Sequence, residues 1–115
     1  MDLIKTLEKV VNQIPEGKVS TFKDVAIALG SSYAVKFVAS NIKKINGPWW
    51  RVINSDGVIR NPIQREMLLR EKINIVNNRV DLKKYLFKNF KLDVKPLEIL
   101  RKKQIELSKK VILHD

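Results

Sequence analysis

The sequence contains no cysteine, a single histidine and few aromatic residues, which make up 7% of the chain. Without cysteine the chain can form no disulfide and has no thiolate to use as a nucleophile or metal ligand. His114 lies one residue from the end, so the sequence predicts neither a zinc site nor a bound cofactor. No apolar run approaches the roughly 20 residues that cross a bilayer, and the acidic, amphipathic start does not resemble a signal peptide. These absences favour a cytoplasmic protein, nucleoid-associated if it binds DNA, without membrane contact.

Acidic residues are also scarce. The sequence contains 12 Asp and Glu and 23 Lys and Arg, which gives a net charge of +11. A field of that sign attracts polyanions, of which nucleic acid is the commonest. The alternative is a lysine-rich surface that is merely solvated. A membrane-surface role is disfavoured, since no segment combines a basic face with a strongly apolar one.

The first half of the chain has the pattern of three helices. Apolar residues recur at helical spacing over 3–14, and a Pro-Glu-Gly sequence ends that helix. Thr21 can cap a second helix over 22–29, and a third is predicted from 33 to about 44. The tight Gly-Ser-Ser turn over 30–32 makes the last two a helix-turn-helix pair.

The second half predicts a β-hairpin and further helices. The stretch 51–60 is interpreted as strand, Asp-Gly turn and strand, a hairpin of the size used as a wing. Pro62 can start the next helix, Asn77-Asn78 predicts a turn, and Asp81 can cap a short helix. The predicted fold is therefore mainly α with a small β-hairpin wing: a winged helix-turn-helix domain.

Two sequence segments resemble a known family. The stretch "IPEGKVSTFKDVAIALGSSYAVKFVASNI" followed by "PWWRVINSDGVI" is similar to the DNA-binding domain of O6-alkylguanine-DNA alkyltransferases. It is most similar to their non-catalytic relatives, the alkyltransferase-like proteins, and the resemblance covers 1–87. It implies a module that binds O6-alkylguanine by base flipping from the minor-groove side and marks it for repair.

Trp49 occupies the position at which the catalytic enzymes carry their alkyl-accepting cysteine. An indole carbon is not a competent acceptor, so the chain is predicted not to be an enzyme. A pocket without a nucleophile can still bind a flipped base by stacking. The residues expected at this lesion pocket are Trp49, Trp50, Val52, Phe22, Pro48 and Glu71. The alternative is that Trp49 is ordinary core.

Trp50 departs from the family, whose members commonly have histidine there, paired with a glutamate that matches Glu71. An indole N–H can still donate to that carboxylate; otherwise Trp50 packs under the wing and Glu71 lies on the surface. Arg51 is interpreted as a structural ion-pair partner in preference to a DNA contact.

The resemblance also implies a DNA-binding surface on the second helix of the helix-turn-helix. Lys36 matches an arginine that fills the gap left by the flipped base, and Phe22 matches a tyrosine whose hydroxyl helps rotate the phosphate. Both changes should weaken flipping. The expected DNA-binding residues are Thr21, Phe22, Ser32, Tyr33, Ala34, Val35, Lys36 and Arg60.

The C-terminal stretch "LRKKQIELSKKVILHD" resembles the opening of endonuclease V proteins. The predicted organisation is a DNA-binding domain over 1–87, a connector over 88–95 and a C-terminal helix over 96–115. This organisation suggests a recognition module fused to a nuclease, although none of the nuclease's catalytic carboxylate clusters lies in this sequence. The alternative is a helix that packs back on the domain.

The expected partner is double-stranded DNA containing alkylated guanine, with a repair nuclease or excision-repair proteins as further partners and the chain as a monomer. Three other functions remain open. A transcriptional regulator of the same fold would read the major groove with polar side chains, and a general DNA clamp would bind without regard to damage. A protein-interaction module would use the tryptophans as anchors, but it would leave the charge of +11 unexplained.

Overall fold

The computed structural model describes residues 3–91, in which short helices alternate with two small sheets. The α-helices are α1 (Leu3–Val11), α2 (Phe22–Leu29), α3 (Val35–Asn41), α4 (Pro62–Arg70) and α5 (Leu82–Tyr85). The strands are β1 (Ser20–Thr21), β2 (Val52–Ile53), β3 (Ile75–Val76) and β4 (Arg79–Val80). The 3-10 turns are Ser32–Ala34, Ile42–Lys44 and Trp49–Arg51. The predicted class, mainly helical with a small β component, is confirmed.

The ends of α2 follow from local chemistry. Thr21 accepts a hydrogen bond from the backbone N–H of Asp24 at 3.1 Å, as predicted for the capping residue. Gly30 ends the helix with a positive φ of 123°, and its N–H donates to the carbonyls of Ala26 and Ile27. The helix-turn-helix pair is therefore present, with its first member held at both ends.

The predicted third helix over 33–44 is divided. Ser31 accepts the N–H of Tyr33 at 3.1 Å, and a 3-10 turn over Ser32–Ala34 leads into α3. A second 3-10 turn, Ile42–Lys44, follows α3 directly. Because both ends are wound as 3-10 turns, the α-helical part is only two turns long. This part, α3, is the recognition helix of the pair.

The prediction of a β-hairpin over 51–60 is wrong. β2 pairs in parallel with β1, with Ser20 opposite Val52, and does not pair with the segment that follows it. In that segment, the N–H of Ile59 donates to the carbonyl of Asn78 at 2.7 Å, and the carbonyl of Gly57 accepts from the N–H of Val80. Its backbone hydrogen bonds therefore go to a distant part of the chain.

The β-hairpin of the wing lies at β3–β4, where Ile75 pairs with Val80 in antiparallel fashion. Its turn is Asn77-Asn78, which the sequence predicted, and both residues have positive φ, 52° and 61°. Two consecutive residues with positive φ match the right-handed twist of a hairpin. The wing thus joins this hairpin to residues 57–59.

Two hydrophobic clusters stabilise the fold. The first lies among α1, α2 and α3 and contains Leu7, Val11, Ile14, Val25, Leu29, Val38 and Val52, among others. The second joins the wing, α4 and α5 and contains Val19, Ile53, Ile59, Leu68, Ile73, Val80 and Tyr85. The Trp49–Arg51 turn lies where the chain passes from one cluster to the other.

The end of the predicted domain falls near the limit of the described residues. Residues 88–91 have no regular secondary structure, and the rest of the predicted connector and the helix over 96–115 lie outside the described range. These boundaries therefore stay predictions. Within residues 3–91, no helix has the length and apolar character that a membrane crossing requires.

Candidate nucleic-acid interface

The two tryptophans point to different parts of the molecule. Their ring centroids are 6.1 Å apart and their planes meet at 83°. Trp49 packs against the first hydrophobic cluster and Trp50 against the second, and each is half-buried. They are edge-to-face neighbours and do not form the two walls of one slot.

Trp50 is held by the carboxylate of Glu71. The indole N–H donates to Glu71 Oε2 at 2.5 Å, which confirms this contact against the alternative of an exposed Glu71. Arg51 donates to the same carboxylate from Nε and Nη2 at 2.9 Å, and its Nη1 donates to the carbonyl of Ile14 at 2.9 Å. The prediction that Arg51 is an ion-pair partner is therefore confirmed.

The carboxylate of Glu71 is ionised in this setting. Its side chain is 8% exposed, and burial raises its pKa. Hydrogen bonds from Arg51, Trp50 and the N–H of Gly17, together with the charge of Arg51, outweigh burial and leave the pKa below its ordinary value. A carboxylate occupied in this way orders the chain around the tryptophans.

Trp49 has a cationic neighbour on its ring. The ammonium of Lys43 lies 5.7 Å from the ring centroid, within the range of a cation–π contact. Phe22 is half-buried and packs against the same cluster, whereas Pro48 and Val52 are buried beneath the surface. Trp49 is thus neither sealed in the core nor fully exposed, and a positive charge stands beside it.

The predicted lesion-pocket residues therefore form two groups. Trp49, Phe22 and Val52 belong to the first cluster, whereas Trp50 belongs to the second and is bonded to Glu71. Their role around a flipped base stays a prediction.

The predicted DNA-binding surface is only partly at the surface. Ser32, Tyr33 and Lys36 are exposed, and Val35 is half-buried. Ala34 and Thr21 are buried, at 6% and 4% exposure, so their side chains offer little surface in the free chain, and their part in DNA binding stays a prediction. Ala34 faces the first cluster, and the Thr21 hydroxyl oxygen caps α2, so both support the surface from beneath.

Arg60 lies on the wing segment and is exposed. Its Nη2 is 3.5 Å from Asp56 Oδ2, an exposed pair that contributes little to stability. The guanidinium is therefore accessible to solvent, and its predicted contact with DNA stays a prediction.

One residue that supports the site was missed. The amide of Gln64, on α4, donates to the carbonyl of Trp50 at 3.1 Å and to that of Val52 at 2.9 Å. These bonds fix the backbone on the far side of the Trp49–Arg51 turn. Nothing in the helical pattern distinguishes Gln64 from a solvent-facing residue.

Comparison with known proteins places this geometry in a family. The model described as "6-O-methylguanine DNA methyltransferase, DNA binding domain" matches residues 3–78, well over half of the chain. The chain belongs to this family. Within the matched region the family's DNA-binding elements are present, from α1 to the turn of the β3–β4 hairpin, and they contain no cysteine.

Relatives within the family differ in length. The "Bifunctional methyltransferase-like/endonuclease" of Nanoarchaeum equitans (strain Kin4-M) is 41% identical over 109 residues, which are 95% of this chain and 34% of that protein. The "DNA base-flipping protein" of Escherichia coli (strain K12) is 36% identical over 87 residues, 67% of each chain. The chain thus spans about a third of the length of the bifunctional relative.

A solved structure has the same fold. Atl1 of S. pombe, crystallised in complex with damaged DNA containing O6-carboxymethylguanine, superposes with a TM-score of 0.69 at 29% identity. The alignment covers 77% of this chain and 98% of Atl1. The DNA-binding domain described above is thus similar over nearly the whole of a protein that has been seen on damaged DNA.

Proposed function

We propose that this chain is a non-catalytic reader of damaged DNA that binds an O6-alkylguanine extruded from the duplex beside Trp49. The observation that carries the proposal is the state of Trp49: a half-buried indole with a lysine ammonium on its ring, in a domain similar to one crystallised with O6-carboxymethylguanine DNA. A flipped purine needs a flat apolar surface to stack on and a small number of polar contacts.

Alkyl transfer is not part of the proposal. The reaction of the family's enzymes needs a thiolate that takes the alkyl group, and this sequence contains no cysteine. Glu71 is already engaged by Arg51, Trp50 and Gly17, so it serves structure. What is left is reversible binding.

The energies permit such binding. Unstacking and unpairing a base costs a few kcal/mol, and stacking on an aromatic ring returns roughly 1–3 kcal/mol. Lys43 is exposed, and leaving the ring face costs it about 0.5–1 kcal/mol, so it does not block entry of the base. Phosphate contacts from the basic surface supply the rest of the affinity.

The DNA lies across the helix-turn-helix in this proposal. The exposed side of the Ser32–Ala34 turn and α3 carries Lys36, and the wing carries Arg60. With α3 in the minor groove, these exposed cations bind phosphates of the duplex. Lys36 and Arg60 then fix the register, and stacking on the half-buried ring of Trp49 supplies the preference for damage.

The test is a titration of two duplexes that differ only in one O6-methylguanine, at fixed salt, followed by tryptophan fluorescence. We expect tighter binding of the damaged duplex. Trp49→Ala should reduce that preference by roughly 5- to 140-fold, the equivalent of about 1–3 kcal/mol, while affinity for the undamaged duplex changes little. Ile63→Ala, an exposed apolar side chain on α4, is the matched control.

Equal affinity of the unaltered chain for both duplexes would exclude damage recognition. It would favour the general DNA clamp, or, if one undamaged sequence were strongly preferred, the transcriptional regulator.

A second role follows from the names of the longer relatives. Three of them are bifunctional proteins with an endonuclease part, of which this chain spans 34–41%. We propose that, joined to such a nuclease, the domain delivers the enzyme to damage. The 115-residue chain should then bind damaged plasmid without nicking it in the presence of Mg²⁺, and nicking by the chain alone would contradict this division of labour.

A further inference from the structure

The side chain of Tyr33 is the most exposed large hydrophobic group within residues 3–91. It is 77% accessible to solvent, above Val76 at 68% and Ile63 at 64%. Within the same residues, the ring takes part in no aromatic pair and the hydroxyl in no hydrogen bond. An aromatic ring left in water on a DNA-facing surface is available for stacking.

The backbone that carries Tyr33 is firmly held. Ser31 Oγ accepts the N–H of Tyr33 at 3.1 Å, and the N–H of Ala34 donates to the Ser31 carbonyl at 3.0 Å. Ala34 is buried in the first cluster, and the turn packs against α2. The ring therefore projects from a rigid platform, so little conformational entropy is lost when it is placed against a ligand.

Tyr33, in the 3-10 turn, and Lys36, in the first turn of α3, lie on the same side of the chain. They are three residues apart, both are exposed, and the residue that follows Tyr33 is buried on the opposite side. Three residues advance the axis by roughly 4.5–6 Å, the range between α and 3-10 winding. That distance exceeds the roughly 3.4 Å rise of one base pair, so the two side chains meet different parts of the duplex.

We propose that Tyr33 is the wedge that enters the base stack where the damaged nucleotide has left it, while Lys36 binds a phosphate. This inference rests on the proposed function and names the residue that holds the gap open. A vacated position is lined by the flat faces of two neighbouring bases, which a phenol ring can cover. A lysine ammonium is a compact, strongly hydrated charge and would have to lose its water there.

Minor-groove proteins that kink DNA insert apolar side chains between base steps in the same manner. Tyr33 has the ring, the exposure and the rigid support that this task needs. Its hydroxyl is not required for stacking, so Tyr33→Phe should keep the activity.

The experiment compares three duplexes that are undamaged, carry one O6-methylguanine, or carry one abasic-site analogue at the same position. The abasic duplex has a ready-made gap but no base for the pocket, so it separates the wedge from the pocket. The full chain is measured as unaltered protein and as Tyr33→Ala, Tyr33→Phe, Trp49→Ala, Lys36→Ala and Ile63→Ala.

We expect Tyr33→Ala to weaken binding of both the O6-methylguanine and the abasic duplex by about 5- to 140-fold, with less than about twofold change on undamaged DNA. Trp49→Ala should weaken only the O6-methylguanine duplex, and Lys36→Ala all three alike. Tyr33→Phe and Ile63→Ala should behave as the unaltered chain.

Unchanged abasic binding in Tyr33→Ala would overturn the wedge while leaving lesion recognition intact. Equal loss in Tyr33→Phe and Tyr33→Ala would overturn stacking as its basis. If the unaltered chain ignores O6-methylguanine but Tyr33→Ala still abolishes a preference for the abasic duplex, the lesion-reading proposal fails and the wedge stands.

Discussion

Replacing Glu71 by glutamine should destabilise the domain strongly, because one carboxylate accepts from three residues in two separate parts of the chain. Its oxygens accept from Trp50 at 2.5 Å, from Arg51 at 2.9 Å and from the Gly17 N–H at 3.2 Å. The two side chains of the ion pair are 16% and 8% exposed. Removing the carboxylate leaves the Arg51 guanidinium partly buried without its counter-charge.

The cost of breaking such a pair from one side is about 3–5 kcal/mol, and the residual exposure of Arg51 argues for about 3 kcal/mol. Since about 1 kcal/mol shifts the melting temperature of a domain this size by about 4–8 °C, the expected fall is about 12–24 °C. The measurements are urea unfolding for the free energy and thermal unfolding for the melting temperature, both at neutral pH. Both are followed by far-UV circular dichroism, which does not depend on the altered surroundings of Trp50.

Glu66→Gln is the matched control, on the same helix and with its own arginine. Glu66 lies 2.7 Å from Arg70, but the two side chains are 63% and 70% exposed, so the change should cost at most about 0.5 kcal/mol. A Glu71→Gln chain as stable as Glu66→Gln would refute the reasoning. It would mean that a mostly buried ion pair and an exposed one of similar length contribute equally to stability.

The same network predicts a pH dependence. The pKa of Glu71 is lower in the folded state than its ordinary value of 4.5, so folding favours the ionised form. Its stabilisation is therefore fully present above that value and is lost as pH falls through the lower, folded-state pKa. The stability difference between the unaltered chain and Glu71→Gln should be constant at neutral pH and shrink in acid; a gap that widens in acid would contradict this assignment.

Three further predictions concern the frame and the DNA-binding surface. Thr21→Ala should cost about 1 kcal/mol in urea unfolding by removing the α2 cap, and Thr21→Ser should restore most of it; no difference between them would mean that the cap is unimportant. Gly57→Ala should lower stability by about 2 kcal/mol or more, since φ is +77° and the added carbon would lie 2.7 Å from the carbonyl oxygen of Val80; an unchanged melting temperature would show that the wing tolerates rearrangement. Lys36→Ala should reduce the slope of log K against log salt by about 1, and a similar change in Lys9→Ala, on α1, would argue against a specific phosphate contact.

Helix boundaries in this chain could be predicted because each depends on a few adjacent residues. Thr21 and Asp81 both cap the helices that follow them, and Pro62 stands at the first turn of α4. Hydrophobic spacing likewise predicted the buried side of α1, although the helix ends at Val11, three residues earlier than expected. Local patterns carry this information without reference to the rest of the fold.

The strand pairing could not be predicted in the same way, because it depends on distant segments. The Asp56-Gly57 turn has the composition of a hairpin, yet the strand before it pairs with Ser20–Thr21, more than thirty residues away. Asn77-Asn78 is the true hairpin turn, and its two positive φ angles are the property that a hairpin requires. Two turn signals of similar strength were present, and only tertiary packing decides between them.

Part of the site was accessible only through family resemblance. The contact between Trp50 and Glu71 joins residues 21 positions apart and was inferred from a histidine–glutamate pair in related enzymes. Lys43 over Trp49 and Gln64 under the turn arise from how the Ile42–Lys44 turn and α4 fold back on the tryptophan segment. Neither has a pattern of its own, because exposed lysines and glutamines occur on most helices.

Under the proposed function, the Trp49–Arg51 turn separates binding from stability within two adjacent residues. A 3-10 turn places successive side chains about 120° apart, so consecutive indoles cannot lie on one face. Trp50 is directed to the second cluster and fixed by a charged hydrogen bond, and it has no polar edge left to offer a ligand. Trp49 is held by packing and by an exposed lysine that can move aside, so its ring face can be uncovered without disturbing the Glu71 network. A ligand that stacks on Trp49 can therefore be bound and released without unfolding the turn, as a reversible reader requires.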